Sequence, residues 1–234
     1  MPNLEDIQVL KMAVCIFPNV TTLDFQGPLE QFGYLIPSRL QNNHYNPELN
    51  VPKYALDITY VSPTEELVYP MAGAPMKGST TYDKVLAADP PEQFNILLVP
   101  GGFGIRPNVI PPSLLKFVAH QAPGADYVLS VCTGAWVLAQ AGVLGGKRAT
   151  TNKAVFKVAK AATEGQNITW IPKARWVVDG NFWTSSGVTA GIDMTGAFME
   201  HLVGEDFARK VRNRLEVSVR KQDDDEFAEV YGLV

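Results

Sequence analysis

Two short strands with almost no polar face limit this chain's fold more than any other feature. FNILLV at Phe94–Val99 and YVLSV at Tyr127–Val131 are apolar on both sides. That pattern belongs to parallel strands sandwiched between helices. Each run stops at small residues: Pro100-Gly101-Gly102 after the first, Cys132-Thr133-Gly134 after the second, with a helical pattern beyond. KMAVCIF at Lys11–Phe17 behaves the same way, ending at Pro18 before a loop and a helical pattern around Pro28–Leu35. Strand, helix, strand, helix in alternation predicts an α/β domain with a mostly parallel sheet.

The remaining segments fit around that frame. A further strand is expected over Tyr54–Val61 and a helix near Ser113–Gln121. Asp179-Gly180, set between aromatic residues in RWVVDGNFWTSS, signals a hairpin. From Gly191 onward, Phe198, Leu202, Phe207, Val211 and Leu215 recur at helical spacing. Pro37–Pro52, rich in Asn, Pro, Gln and Ser, has neither period and reads as a surface insertion. No repeat or linker divides the chain, so residues 1–234 are expected to form a single domain.

With 234 residues, 46% hydrophobic, the chain is large enough to build a core without disulfide or metal staples. Its net charge of −4 and lack of a Lys/Arg-rich run argue against nucleic acid as a partner. No apolar run approaches the length of a membrane span, and the N-terminal acids do not suit a signal peptide. A cytoplasmic location is therefore expected. Two cysteines make no disulfide framework. His44, His120 and His201 lack metal-ligand spacing, so no metal is expected; His201 reads as a helix-surface or interface residue.

Cys15, inside MAVCIF, fits the ordinary role of a small buried hydrophobe. Cys132 does not. It ends an apolar strand just before small residues that open a helix, and such a turn pushes a side chain out at the carboxyl edge of the sheet, where α/β folds bind ligands. A helix N-terminus there is expected to lower the thiol's pKa. Gly101 and Gly102, at another strand's carboxyl end, could offer backbone N–H groups to a developing negative charge together with the N–H of Thr133. Asp24 follows the first strand, at the same edge. As an Asp in a loop before a helix it could serve as a cap, but Leu23 and Phe25 beside it suggest desolvation and a raised pKa suited to proton transfer. Most of the set Phe103, Trp136, Trp170, Trp176, Phe182 and Trp183 is expected in the core, with Phe103 the first choice to line a pocket for an apolar group.

Taken together, LDFQGPLEQF, LLVPGGFG, SVCTGAWVLAQAGVLGGKRATTN and TSSGVTAGIDM resemble the ThiJ/PfpI superfamily, and within it the isonitrile (isocyanide) hydratase branch. The resemblance runs from about Val9 to Val217. It implies a flavodoxin-like three-layer sandwich, related to the class I glutamine amidotransferase domain, with a nucleophile-elbow cysteine. It also implies a homodimer with no metal and no organic cofactor. By matching motif, Cys132 resembles the nucleophile, Asp24 its proton-handling acid, and Thr133 the neighbour that places substrate or water. The implied activity is that of a carbon–nitrogen lyase: hydration of a small electrophile, an isonitrile, to an N-substituted formamide through a covalent thioimidate. Many relatives read ATTHW where this chain has ATTNK, so Asn152 and Lys153 are departures that bear on the substrate.

Other activities share parts of this pattern. Proteases, glyoxalases and deglycases of the superfamily generally carry His after the cysteine, where this chain has Thr133. A glutamine amidotransferase would need a downstream His-x-Glu pair, and Met199-Glu200-His201 does not supply it. A glyoxalase or deglycase acting on small carbonyl compounds, or a non-enzymatic redox sensor at Cys132, stays open on these residues alone. A transcription regulator with an appended DNA-binding segment is not expected, since the sequence stops at Val234.

Overall fold

The computed structural model describes residues 7–41 and 49–234. In chain order its elements are β1 (Gln8–Cys15), α1 (Thr22–Phe32), α2 (Pro37–Gln41), β2 (Tyr54–Ser62), β3 (Thr80–Thr81), α3 (Tyr82–Ala87), β4 (Ile96–Val99) and α4 (Pro112–Gln121). There follow β5 (Tyr127–Ser130), α5 (Gly134–Gln140), β6 (Arg148–Ala149), α6 (Phe156–Ala162), β7 (Thr169–Trp170), β8 (Trp176–Asp179), β9 (Phe182–Ser185), α7 (Val188–Val203), α8 (Glu205–Arg214) and α9 (Phe227–Val230). Seven strands form one sheet in the order β3-β2-β1-β4-β5-β9-β8, parallel throughout except that β8 runs antiparallel to β9. β6 and β7 pair separately.

The apolar runs take the central places. Every residue of β4 is buried, and Val128, Leu129 and Val131 are inaccessible to solvent. Side chains on both faces of these strands meet helices, α1, α7 and α8 packing as one group and α3, α4 and α5 as another. Each fully buried Leu, Ile or Val contributes about 1.5–3 kcal/mol of transfer free energy, so the middle of the sheet is its most firmly held part. This is the α/β three-layer architecture that the alternating pattern predicts.

Some boundaries differ. The helix expected around Pro28–Leu35 begins at Thr22 and ends in a 3-10 turn, Gly33–Leu35. Asp24 therefore lies in the first turn of α1 and not in the preceding loop. The hairpin's two connecting residues are Gly180 and Asn181, because Asp179 pairs directly with Phe182; Gly180 supplies the positive φ (+60°). The segment Pro37–Pro52 is not wholly irregular, since its start forms α2. Residues 42–48, with His44, lie outside the described residues. Among the described residues no helix is long and apolar enough to cross a membrane.

The strand order fixes where a site can form. From β1 the chain builds outward to β2 and β3, then returns to place β4 on the other side of β1. The chain leaving β1 thus runs to the helices of one face and the chain leaving β4 to those of the other, while the first residues of both loops, with those after β5, meet at the carboxyl edge of the sheet.

Candidate active site

Three loops converge at this edge. The one after β1 is stitched to the one after β4 by a β-bridge between Val20 and Gly102 and by the Thr21 N–H donating to the Gly101 carbonyl at 2.9 Å. That stitching carries Asp24, three residues on, over Gly101, whose N–H donates to Asp24 Oδ2 at 2.9 Å. Gly101 can be nothing larger. A Cβ there would lie 2.4 Å from Thr133 Oγ1, 2.5 Å from Thr133 N and 3.1 Å from Asp24 Oδ2. Gly102 is needed for its backbone, with φ +143°.

The third loop is the strand-to-helix turn at Cys132. This residue has φ +59°, left-handed and uncommon for a side chain with a Cβ. Hydrogen bonds hold the turn: Cys132 N–H to Ser186 O at 2.7 Å, Thr151 Oγ1 to Cys132 O at 2.9 Å, and Gly134 N–H to Val131 O at 2.9 Å. A strained residue so completely pinned is the pattern seen where position serves function. The result presents the sulfur to Asp24, to the Thr133 N–H and to Asn152, whose Nδ2 donates to Sγ at 3.3 Å.

Asn152 is oriented by its own helix. Its Oδ1 accepts the Ala154 N–H at 2.9 Å as a cap, so the amide's NH2 must face away, toward the sulfur. As a departure from the resemblance, Asn152 bears on the substrate. Its contact with sulfur escaped the sequence, although a capping Asn ahead of the KAVFKVAKAA run was a usable clue.

Electrostatics here run against one expectation. The Cys132 thiol is pushed up to about 12, first by burial and then by the neighbouring Asp24 charge; the Asn152 and Thr133 donors oppose this and lose. α5 has only seven residues and cannot outweigh that desolvation. Asp24 is wholly buried, and burial raises its carboxyl to about 7 against the smaller pull of the Gly101 N–H and Cys132. Its Oδ1 has no hydrogen-bond partner of good geometry. A basic, partly unsatisfied carboxylate thus faces a protonated thiol.

Other candidates fall as follows. Thr133 is at the centre, its Oγ1 accepting the Gly102 N–H at 3.0 Å. Both glycine N–H groups are therefore engaged, Gly101 with Asp24 and Gly102 with Thr133, and neither is a free donor for a developing anion. Phe103 is 54% exposed, with the Arg106 guanidinium 4.4 Å from its ring centre, while Trp136, Trp170, Trp176, Phe182 and Trp183 are buried. His201 lies exposed on α7, its Nε2 3.1 Å from the Tyr127 hydroxyl. Among the described residues no three His, Cys, Asp or Glu side chains cluster as a metal site requires.

Comparison with known proteins agrees with this architecture. The DJ-1/PfpI family matches residues 11–201. An isonitrile hydratase of Pseudomonas putida is 35% identical over 208 residues, 88% of this chain and 78% of the relative. A deglycase of Pyrococcus horikoshii is 31% identical over 120 residues, 51% of this chain and 66% of that one. Among solved structures, a ThiJ/PfpI family protein from Pseudomonas syringae superimposes with a TM-score of 0.71 at 23% identity, covering 94% of this chain and 81% of that one.

Proposed function

The chain belongs to the DJ-1/PfpI family, and from that premise we propose that it hydrates a small organic isonitrile to an N-substituted formamide, with Cys132 as nucleophile and Asp24 as proton carrier. The observation that carries this reading is the buried Asp24 carboxylate, raised to about 7, beside the Cys132 thiol. A carboxylate of that basicity can take the thiol proton at neutral pH while sulfur attacks. The sulfur forms a bond to the terminal carbon of R–N≡C, and Asp24 returns the proton to that carbon, giving the thioimidate R–N=CH–S–Cys132. Water adds across the C=N bond, oxygen to carbon and one proton to nitrogen, giving R–NH–CH(OH)–S–Cys132, and the C–S bond breaks as Asp24 takes the hydroxyl proton. The sulfur leaves as a thiolate held by the Asn152 amide and the Thr133 N–H, and takes back a proton. The sum is R–NC plus water to R–NH–CHO.

The engaged glycines favour this electrophile over a carbonyl. Attack on an aldehyde or ketone puts negative charge on oxygen and calls for free donors around it. Attack on an isonitrile develops charge on the carbon that Asp24 protonates, so the bond-forming step to sulfur requires no free oxyanion donor. A cytoplasmic homodimer is part of the same proposal.

The test is incubation of the purified protein with an alkyl or aryl isonitrile and, separately, with methylglyoxal, following formamide and lactate beside a Cys132→Ser control. Formamide formed only by the unmutated protein is the expected result. Lactate formed in its place would move the assignment to a glyoxalase, and neither product would overturn both enzymatic readings.

A further inference from the structure

A cavity of about 270 Å³ lies beside Asn152, the residue whose amide reaches the sulfur. Asn152 belongs to both places: its Nδ2 donates to Cys132 Sγ at 3.3 Å, and its side chain lines the cavity. Ser186, whose carbonyl accepts the Cys132 N–H, and the adjacent Gly187 and Val188 continue the wall. The far wall comes from the C-terminal segment, through Phe227 and Tyr231 of the α9 region, both about half-exposed at the rim.

That segment is pinned with unusual care. Asp225 is buried and its Oδ2 accepts both the Ala174 N–H at 3.1 Å and Lys153 Nζ at 3.1 Å, while its Oδ1 accepts the Phe227 N–H at 2.9 Å. Lys153, next to Asn152 in the chain, spends its other donors on Thr150 Oγ1 and Ala174 O, each at 2.8 Å. The Arg175 N–H donates to Gln222 O at 2.7 Å, and the Arg175 guanidinium is paired with Asp193. Both cations beside the cavity are thus neutralised by buried carboxylates. No unpaired charge is offered to an anionic group there, and the remaining surface is predominantly apolar.

Resting on the isonitrile reading above, we propose that this cavity holds the non-reacting substituent of the substrate, an uncharged aromatic or branched aliphatic group, and that Phe227 and Tyr231 determine which substituents are accepted. Asp225 and Lys153 act as positioning residues. They fix the C-terminal wall and, through the adjacent Asn152, the same distance from wall to sulfur.

Two readouts test this independently of each other. The first is the rate of Cys132 alkylation by iodoacetamide and by its N-benzyl derivative, followed by intact-mass spectrometry. The second is kcat/KM for methyl and benzyl isonitrile. Phe227→Ala and Tyr231→Ala are expected to lower the benzyl-to-small ratio about tenfold in both, whereas Val158→Ala, an exposed change on α6, leaves the ratios as they were. Unchanged ratios in both rim variants would overturn the proposal, as would a Cys132 that neither reagent alkylates. Shifted alkylation ratios without any formamide would leave the subsite standing and the hydratase reading overturned. Formamide production with unchanged ratios would do the reverse.

Discussion

The molecule's two cysteines are nearly matched in burial and differ in everything else. Cys15 is the last residue of β1, Cys132 lies just beyond β5, and burial raises both thiols. Cys15 has ordinary strand geometry, and the side chain bonded to it is Tyr82, whose hydroxyl donates to Ile16 O at 2.9 Å. Cys132 has a left-handed backbone, a carboxylate, an amide and a peptide N–H around its sulfur. A buried thiol is inert by default. What separates the two is a base within reach, and the sharp turn that brings it there.

The strongest way to break that comparison is to remove each sulfur in turn. Cys132→Ser is expected to lower isonitrile turnover about 10³-fold or more, because Asp24 near 7 is too weak a base to ionise an alcohol. Cys15→Ser should keep turnover and instead lose about 1–3 kcal/mol of stability, from a hydroxyl in apolar surroundings. Steady-state assays with urea melts check both. A serine enzyme running at near-normal rate would refute thiol catalysis.

Next in size is Asp24, the proposed base. Asp24→Asn keeps the shape and the acceptor for the Gly101 N–H but cannot take a proton, and a loss of about 10²-fold in kcat/KM is expected. The wild-type profile should fall as pH drops through about 7, where Asp24 becomes protonated, and this limb should be missing in the variant. Alkylation of Cys132 by iodoacetamide should persist. Full activity of Asp24→Asn across about pH 6 to 8 would dismiss its role.

Why the sequence revealed Cys132 and Asp24 but not their whole surroundings has a physical explanation. Strands apolar on both faces have one stable setting, between helices, and small residues after them mark the carboxyl edge where side chains gather. Contacts made along one strand, turn or helix leave local patterns of this kind. Asn152, Lys153 and Asp225 act across long loops, 20 residues from Cys132 to Asn152 and far more to Asp225, and nothing periodic announces such pairings. The expected thiol pKa failed for a related reason. A turn's local dipole is readable in sequence, whereas desolvation depends on everything packed around the sulfur.

The amide at 152 sharpens the comparison in a smaller way, since the side chain bonded to Cys15 is the Tyr82 phenol and not an amide. Asn152→Leu removes the hydrogen bond to sulfur while keeping similar volume, and donors to a charged group contribute about 1.5–3 kcal/mol. Alkylation of Cys132 by iodoacetamide should slow about tenfold or more relative to the unmutated protein. An unaltered rate would mean that the Thr133 N–H alone supports the thiolate.

The smallest effect is on stability, and its sign is opposite to the loss of activity. Asp24 has a folded pKa of about 7 against an ordinary 3.8, so the native state binds the extra proton between those values and the unfolded state gives it up. Stability is thus undiminished by this group below about pH 4, falls as pH rises, and carries its full penalty above about 7. A shift of this size bounds the penalty at roughly 4 kcal/mol, and contact with the thiol lowers it. The neutral Asn variant escapes the penalty. Its Tm at pH 8 should exceed that of the unmutated protein by a few degrees, with the gap closing as pH falls toward 4. Equal Tm values across that range would mean that Asp24 ionises as freely as in water, and the proton transfer proposed for it in the hydration would lose the basicity on which it rests.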